Sequence, residues 1–154
     1  MWITLLIAHG LSAFLLLGAI THQAVGVWLP ARDRSTHFLN RVRAAPPTSY
    51  VNAIIVLFVT TMILGGFIYT NYRIAARFTL EQGRFWKTFG AFELKEHIVT
   101  IGLGILPAYW YFWRQPLREG YARTRAMLTT VLAFVVWWGF LVGHLANNIR
   151  GLGT

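Results

Sequence analysis

The sequence of 154 residues has no cysteine and only five acidic residues. Without cysteine there are no disulfides, no thiolate-held iron–sulfur cluster and no covalently attached c-type haem, and thiol usage gives no redox compartment. No aspartate lies in any long apolar run, and no GxSxG, HExxH or phosphate-cradling glycine loop occurs. Nucleophilic and zinc-peptidase chemistry therefore has no support. Charge is scarce altogether, at 12% of residues against 56% hydrophobic, with a mean hydropathy of +0.51. A soluble domain carries about 25% charged residues. The composition instead describes a single integral membrane domain over 1–154. The net charge of +9 resides in the connections between apolar runs. Nucleic acid is not the expected partner; anionic lipid headgroups or an acidic subunit are.

What the chain does have is long uncharged runs, and a helix needs about 20 apolar residues to cross a bilayer. Residues 2–29 form the first, bracketed by Trp2 and Trp28 and stopped by Pro30. No basic segment precedes it and no small-residue cleavage site follows, so it reads as a retained span rather than a signal peptide. Pro46 and Pro47 set the start of the second, 50–72. The third, 92–113, opens with Glu93, Lys95, Glu96 and His97 and closes in the aromatic run from Tyr109 to Trp113. The fourth is 126–148. Between the second and third, Arg73, Arg77, Glu81 and Arg84 recur at helical spacing, as in a short helix on the membrane surface. The fold class expected is thus all-α, a bundle of four transmembrane helices with one short interfacial helix. Eight cations in the first and third connections against six on the other side favour both termini outside the cytoplasm, in a bacterial inner membrane.

With four alternating spans, His9, His97 and His144 fall in one membrane layer, on the side of both termini. At about 1.5 Å per residue they lie about 5–10 Å inside the interface. His22 is 13 residues beyond His9 and on nearly the opposite face; flanked by Gly18 and Gly26, it reads as a packing residue. His37 lies in a connection and has no special role.

An ionisable group within a span is a functional candidate because lipid burial is costly. A b-type haem needs imidazoles from opposed helices, an apolar slot, close backbone approach and cations for its propionates. Candidates for each are present: His9, His97 and His144 as ligands; Gly104, seven residues after His97, for room; Trp137 two turns from His144; Arg73, Lys95 and Arg150 for the propionates. Glu93, four residues before His97, is placed to orient it. Other readings of the same residues are a three-histidine copper or zinc site, a bacteriochlorophyll on one histidine, and plain helix packing. The Gly139–Gly143 pair suits packing as well as it suits a cofactor.

The segment AHGLSAFLLLGA (8–19), followed by a basic connection, and the lysine in FELKEH (92–97) are similar to the four-helix haem-binding membrane proteins of the CopD and HemJ kind. The likeness covers about a third of the chain. It implies His9 as the span-one histidine, Lys95 as the span-three lysine, haem binding, and protoporphyrinogen oxidation or copper handling as activities. It offers no counterpart for His97 or His144. The function expected is a small cytochrome-b-like subunit with one haem b near the face carrying both termini, passing electrons to a partner subunit or quinone. The alternatives are a non-catalytic accessory or structural subunit of a larger membrane complex, and a HemJ-like haem-biosynthesis oxidase; the partners expected are other membrane subunits or further copies of the chain.

Overall fold

The computed structural model of the chain describes residues 2–29, 45–116 and 118–152. The described residues are helical, with no strand. Helix α1 is Trp2–Trp28 and α2 is Val51–Asn71, entered through a 3-10 turn, Pro47–Tyr50. A π-helical turn, Tyr72–Ala76, carries α2 into the short α3, Arg77–Gln82. Helix α4 is Trp86–Arg114 and α5 is Glu119–Leu152. The four long helices lie over the four apolar runs.

Three stretches are long and apolar enough to cross a membrane: Trp2–Trp28, Pro47–Ile74 and Gly120–Asn148. The chain is accordingly read as an integral membrane protein. Helix α4 has 29 residues, about 43 Å at 1.5 Å per residue, but its first turns carry the charges that lower its hydropathy. The expected surface helix has a different form. Arg73 and Ile74 belong to the π-turn, so this segment continues α2 rather than starting afresh. The chain breaks only after Gln82, where Arg84 takes a φ of 57°, a left-handed conformation that ends a helix. The first connection, with His37, Arg32, Arg34, Arg41 and Arg43, lies outside the described residues.

Helix α1 packs between α2 and α5, and α4 packs chiefly on α5. The shared core is built from Leu16 and Ile20 of α1, Ile54 and Phe58 of α2, Leu106 and Tyr109 of α4, and Leu132 and Val135 of α5. Apolar side chains such as Phe14, Val56, Phe67 and Phe134 face outward, as a lipid-facing surface requires.

Glycine makes the tight crossings. A Cβ on Gly102 would stand 2.8 Å from both Phe58 Cζ and Val135 Cγ1. One on Gly26 would stand 2.9 Å from Pro47 Cγ. Half of the packing face expected beside His22 is therefore present, since Gly26 admits the proline turn while Gly18 is exposed with open space beside it. Next to it, Gln23 is fully buried; its Nε2 donates to the Pro47 carbonyl at 2.9 Å and its Oε1 accepts from the Tyr109 hydroxyl at 2.6 Å. Arg125 closes the same end by donating from Nε to the Phe112 carbonyl at 2.8 Å, and from its guanidinium to the Gln115 carbonyl. It thereby satisfies carbonyls that the last turn of α4 leaves open.

Candidate functional site: a cavity at the end of the bundle that carries the termini

At the opposite end the helices stand apart around a cavity of about 620 Å³. That is within the range of about 300–1,000 Å³ usual for small-molecule and cofactor sites. All four long helices line it. Leu16, Phe58, Met62, Val99 and Val135 make its inner wall, while Asn71, Tyr72, Lys95, Glu96, His144 and Asn147 gather toward its outer part. The result is an amphipathic chamber, apolar in depth and polar toward the membrane surface.

His9 is the best-positioned group in it. Its Nδ1 lies 3.1 Å from the backbone carbonyl of Thr61. A carbonyl only accepts, so Nδ1 carries the hydrogen, and Nε2 keeps its lone pair for a ligand. The ring can come this close because Gly65 has no side chain; a Cβ there would stand 3.2 Å from His9 Cε1. Ser12 and Thr61 hydroxyls bond each other at 2.8 Å one turn away, joining α1 to α2. The imidazole is thus held by its partner helix as metal-binding histidines are held by their outer-shell acceptors.

Across the cavity, Tyr72, Phe92 and Lys95 form a stack. The Tyr72 and Phe92 ring centroids are 3.9 Å apart, and Lys95 Nζ lies 3.9 Å from the centroid of Phe92. The Tyr72 hydroxyl is buried with no hydrogen-bond partner among the described residues. A buried, unmatched hydroxyl costs about 1–3 kcal/mol, so it suits a group that arrives from outside the chain. Tyr72 also opens the π-turn, a local deviation that recurs at functional sites. A Cβ on Gly10 or Gly143 would meet nothing within 4 Å, so both leave open space at the cavity wall.

Of the residues expected from sequence, His9, Lys95 and His144 are brought to this one cavity. His144 is exposed and stacks on Phe140, with planes 3° apart and centroids 6.2 Å apart. His97 is not there. It is exposed on the outer face of α4, with Nδ1 donating to the Glu93 carbonyl of its own helix at 2.8 Å. Gly104 shares that outer face and has open space beside it, so it gives room outside the bundle, not within. Trp137 donates to the Thr21 hydroxyl at 3.0 Å and is a helix-packing residue here, not a cavity wall. Arg73 lies by Arg77 and Glu81 at the π-turn, away from the cavity. Among the described residues no group of three or more histidine, aspartate or glutamate side chains is gathered that could hold a metal ion. The three histidines of the expected copper or zinc centre are not brought together, because His97 faces outward from α4.

Sequence reasoning passed over Tyr72, Thr61 and Gly65. Tyr72 had a signal, being the last residue of an uncharged run before a cluster of cations. The Thr61–Gly65 pairing with His9 is a contact between helices and leaves no local trace.

Comparison of the chain with family models finds no match, and comparisons with curated proteins and with solved structures find none either. The likeness to CopD and HemJ proteins rests on the two sequence segments alone.

Proposed function

We propose that the chain crosses the bilayer four times and binds b-type haem in this cavity, serving as a small cytochrome-b-like electron-transfer subunit. The observation that carries the reading is His9: an imidazole fixed through Nδ1 to the Thr61 carbonyl, with Nε2 left for iron. His144 is the second cavity histidine and would be the other imidazole available to hold the iron. Lys95 and the unmatched Tyr72 hydroxyl are available to propionate oxygens, and the apolar inner wall suits a macrocycle. Haem bound there would supply one-electron exchange, and the residues of the chain would set its orientation and keep water from its inner edge.

The fourth crossing is supported by the aromatic ends of α4. Trp86 and Trp110 lie 24 residues apart, about 36 Å along the helix, a span suited to both membrane interfaces. The test of function is the visible spectrum of the purified protein before and after dithionite. A reduced α-band that disappears in His9→Ala supports the proposal; a colourless protein purified from haem-replete cells sinks it.

A second reading has its own support. Ser12–Thr61, Gln23–Tyr109 and Trp137–Thr21 all spend intramembrane polar groups on joining helices. A protein whose polar residues served only this purpose would be a non-catalytic accessory subunit, and the same spectrum separates the two.

A further inference from the structure

The outer face of α4 is unlike the lipid-facing surfaces of the other helices. At about 100° per residue, Gly90, Glu93, Gly104, Ala108 and Tyr111 all fall within about 40° of His97. Every one of them is exposed. Gly104 and Ala108, four residues apart near the middle of α4, form the small-xxx-small pattern that lets two membrane helices approach closely. Pro107, within the same helix, removes the donor that the Leu103 carbonyl would otherwise have. Above the small pair, Glu93 and His97 face outward one turn apart, and His97 uses only Nδ1 within its own helix. Arg77 lies within electrostatic reach of Glu93 and Glu96 within reach of His97, and an acid and an imidazole on the outer face of a membrane helix stay costly unless they are fully paired.

We infer that this face is covered by α4 of a second copy of the chain, related by a twofold axis along the membrane normal. The argument for a second copy is that the face complements itself. It presents one acid and one imidazole, and a twofold axis gives each Glu93 to the other copy's His97, the same contact made twice. One proton shared between carboxylate and Nε2 makes the bond, whichever side holds it. Both copies keep the same insertion, and the small pair sets the distance between the helices. The inference rests on the reading of α4 as a membrane crossing, and it is independent of what the cavity binds.

The absence of cysteine makes the test clean. Single-cysteine variants Ala108→Cys and Tyr111→Cys, purified and reconstituted in phosphatidylcholine–phosphatidylglycerol vesicles, are oxidised with copper phenanthroline and run on a denaturing gel. Ile63→Cys, on the lipid-facing side of α2 where the isoleucine is 56% exposed, serves as control. A disulfide-linked dimer at either α4 position, at least fivefold above the control and reduced severalfold by adding Glu93→Ala, supports the pairing. Equal yields at all three sites overturn it, as does no dimer at either α4 site, and so does an α4 cross-link in native membranes whose mass is not that of two copies. Labelling Lys87→Cys and Gln115→Cys with an impermeant maleimide separates the two readings. If both ends label from one side, the crossing fails and the pairing with it; if they label from opposite sides and no dimer forms, only the pairing fails.

Discussion

The two ends of this bundle use the same residue types for opposite purposes. Toward the first and third connections, glycine brings backbones together: Gly26 admits Pro47, and Gly102, midway, admits Phe58 and Val135. Gln23 and Tyr109 are buried and matched there, in the Pro47–Gln23–Tyr109 chain. Toward the termini, Gly10 and Gly143 border open space, the Tyr72 hydroxyl is unmatched, and His9 is held with one nitrogen spare. Folding alone explains the first end. It does not explain the second, where unfilled volume and an unsatisfied hydroxyl both lower stability. Such a departure from full packing is expected where a protein binds something.

The largest effect should come from His9. Replacing it with Ala is expected to abolish the reduced α-band entirely while the protein still purifies as a folded monodisperse species. A retained α-band would remove His9 from the site and leave His144 as the cavity's remaining histidine. Next comes the closed end. Gln23→Leu leaves the Tyr109 hydroxyl and the Pro47 carbonyl without partners, and should cost about 1–3 kcal/mol of stability in a mixed-micelle unfolding titration. The α-band should be unchanged, because the site is at the other end. Tyr109→Phe, which orphans only the Gln23 side, should cost less than Gln23→Leu.

The glycines give a paired test. Gly102→Ala forces a Cβ against Phe58 and Val135 and should destabilise by about 1–3 kcal/mol. Gly143→Ala adds the same methyl where there is room, and should leave stability equal or raise it by up to about 1 kcal/mol through helix propensity. If the two substitutions cost the same in thermal unfolding, the contrast between a filled and an unfilled end is wrong.

How much of this was legible beforehand depended on whether the signal lay along a helix or between helices. The end of the bundle was readable: apolar run lengths and the rise per residue placed His9 and His144 toward the end that carries the termini, and both line the cavity there. The relation of His97 to Gly104 was also right, since seven residues return to one face. Which way that face points was not readable. The buried side of α4 is Gly102, Leu106, Tyr109 and Trp113, and Leu106 lies about 200° around the helix from Gly104. In a soluble helix the polar residues would have marked the outside, whereas a helix apolar on nearly all sides carries little angular signal. Here small residues and an imidazole could equally face a cofactor or a neighbouring protein. Where the short helix between the second and third runs begins was not readable for a related reason: the charges of 73–84 do not stop a helix, and α2 runs on through its π-turn into α3.

The smallest effect is expected at His22, and it tests whether a histidine within a span implies a cofactor. His22 does not line the cavity, and its ring lies 4.6 Å from that of Tyr50, tilted by 31°, beside the proline turn that Gln23 holds. It therefore belongs to the closed end. Glutamine is similar in length and keeps one donor and one acceptor, but loses the flat ring against Tyr50. His22→Gln should cost about 1 kcal/mol or less, in keeping with the modest worth of polar contacts between membrane helices, and should leave the position and intensity of the α-band unchanged. Two measurements on one preparation decide it, an unfolding midpoint and a reduced-minus-oxidised spectrum. A shifted or lost α-band at near-wild-type stability would place His22 in a redox site of its own, and the two ends of the bundle would then no longer differ in what they bind.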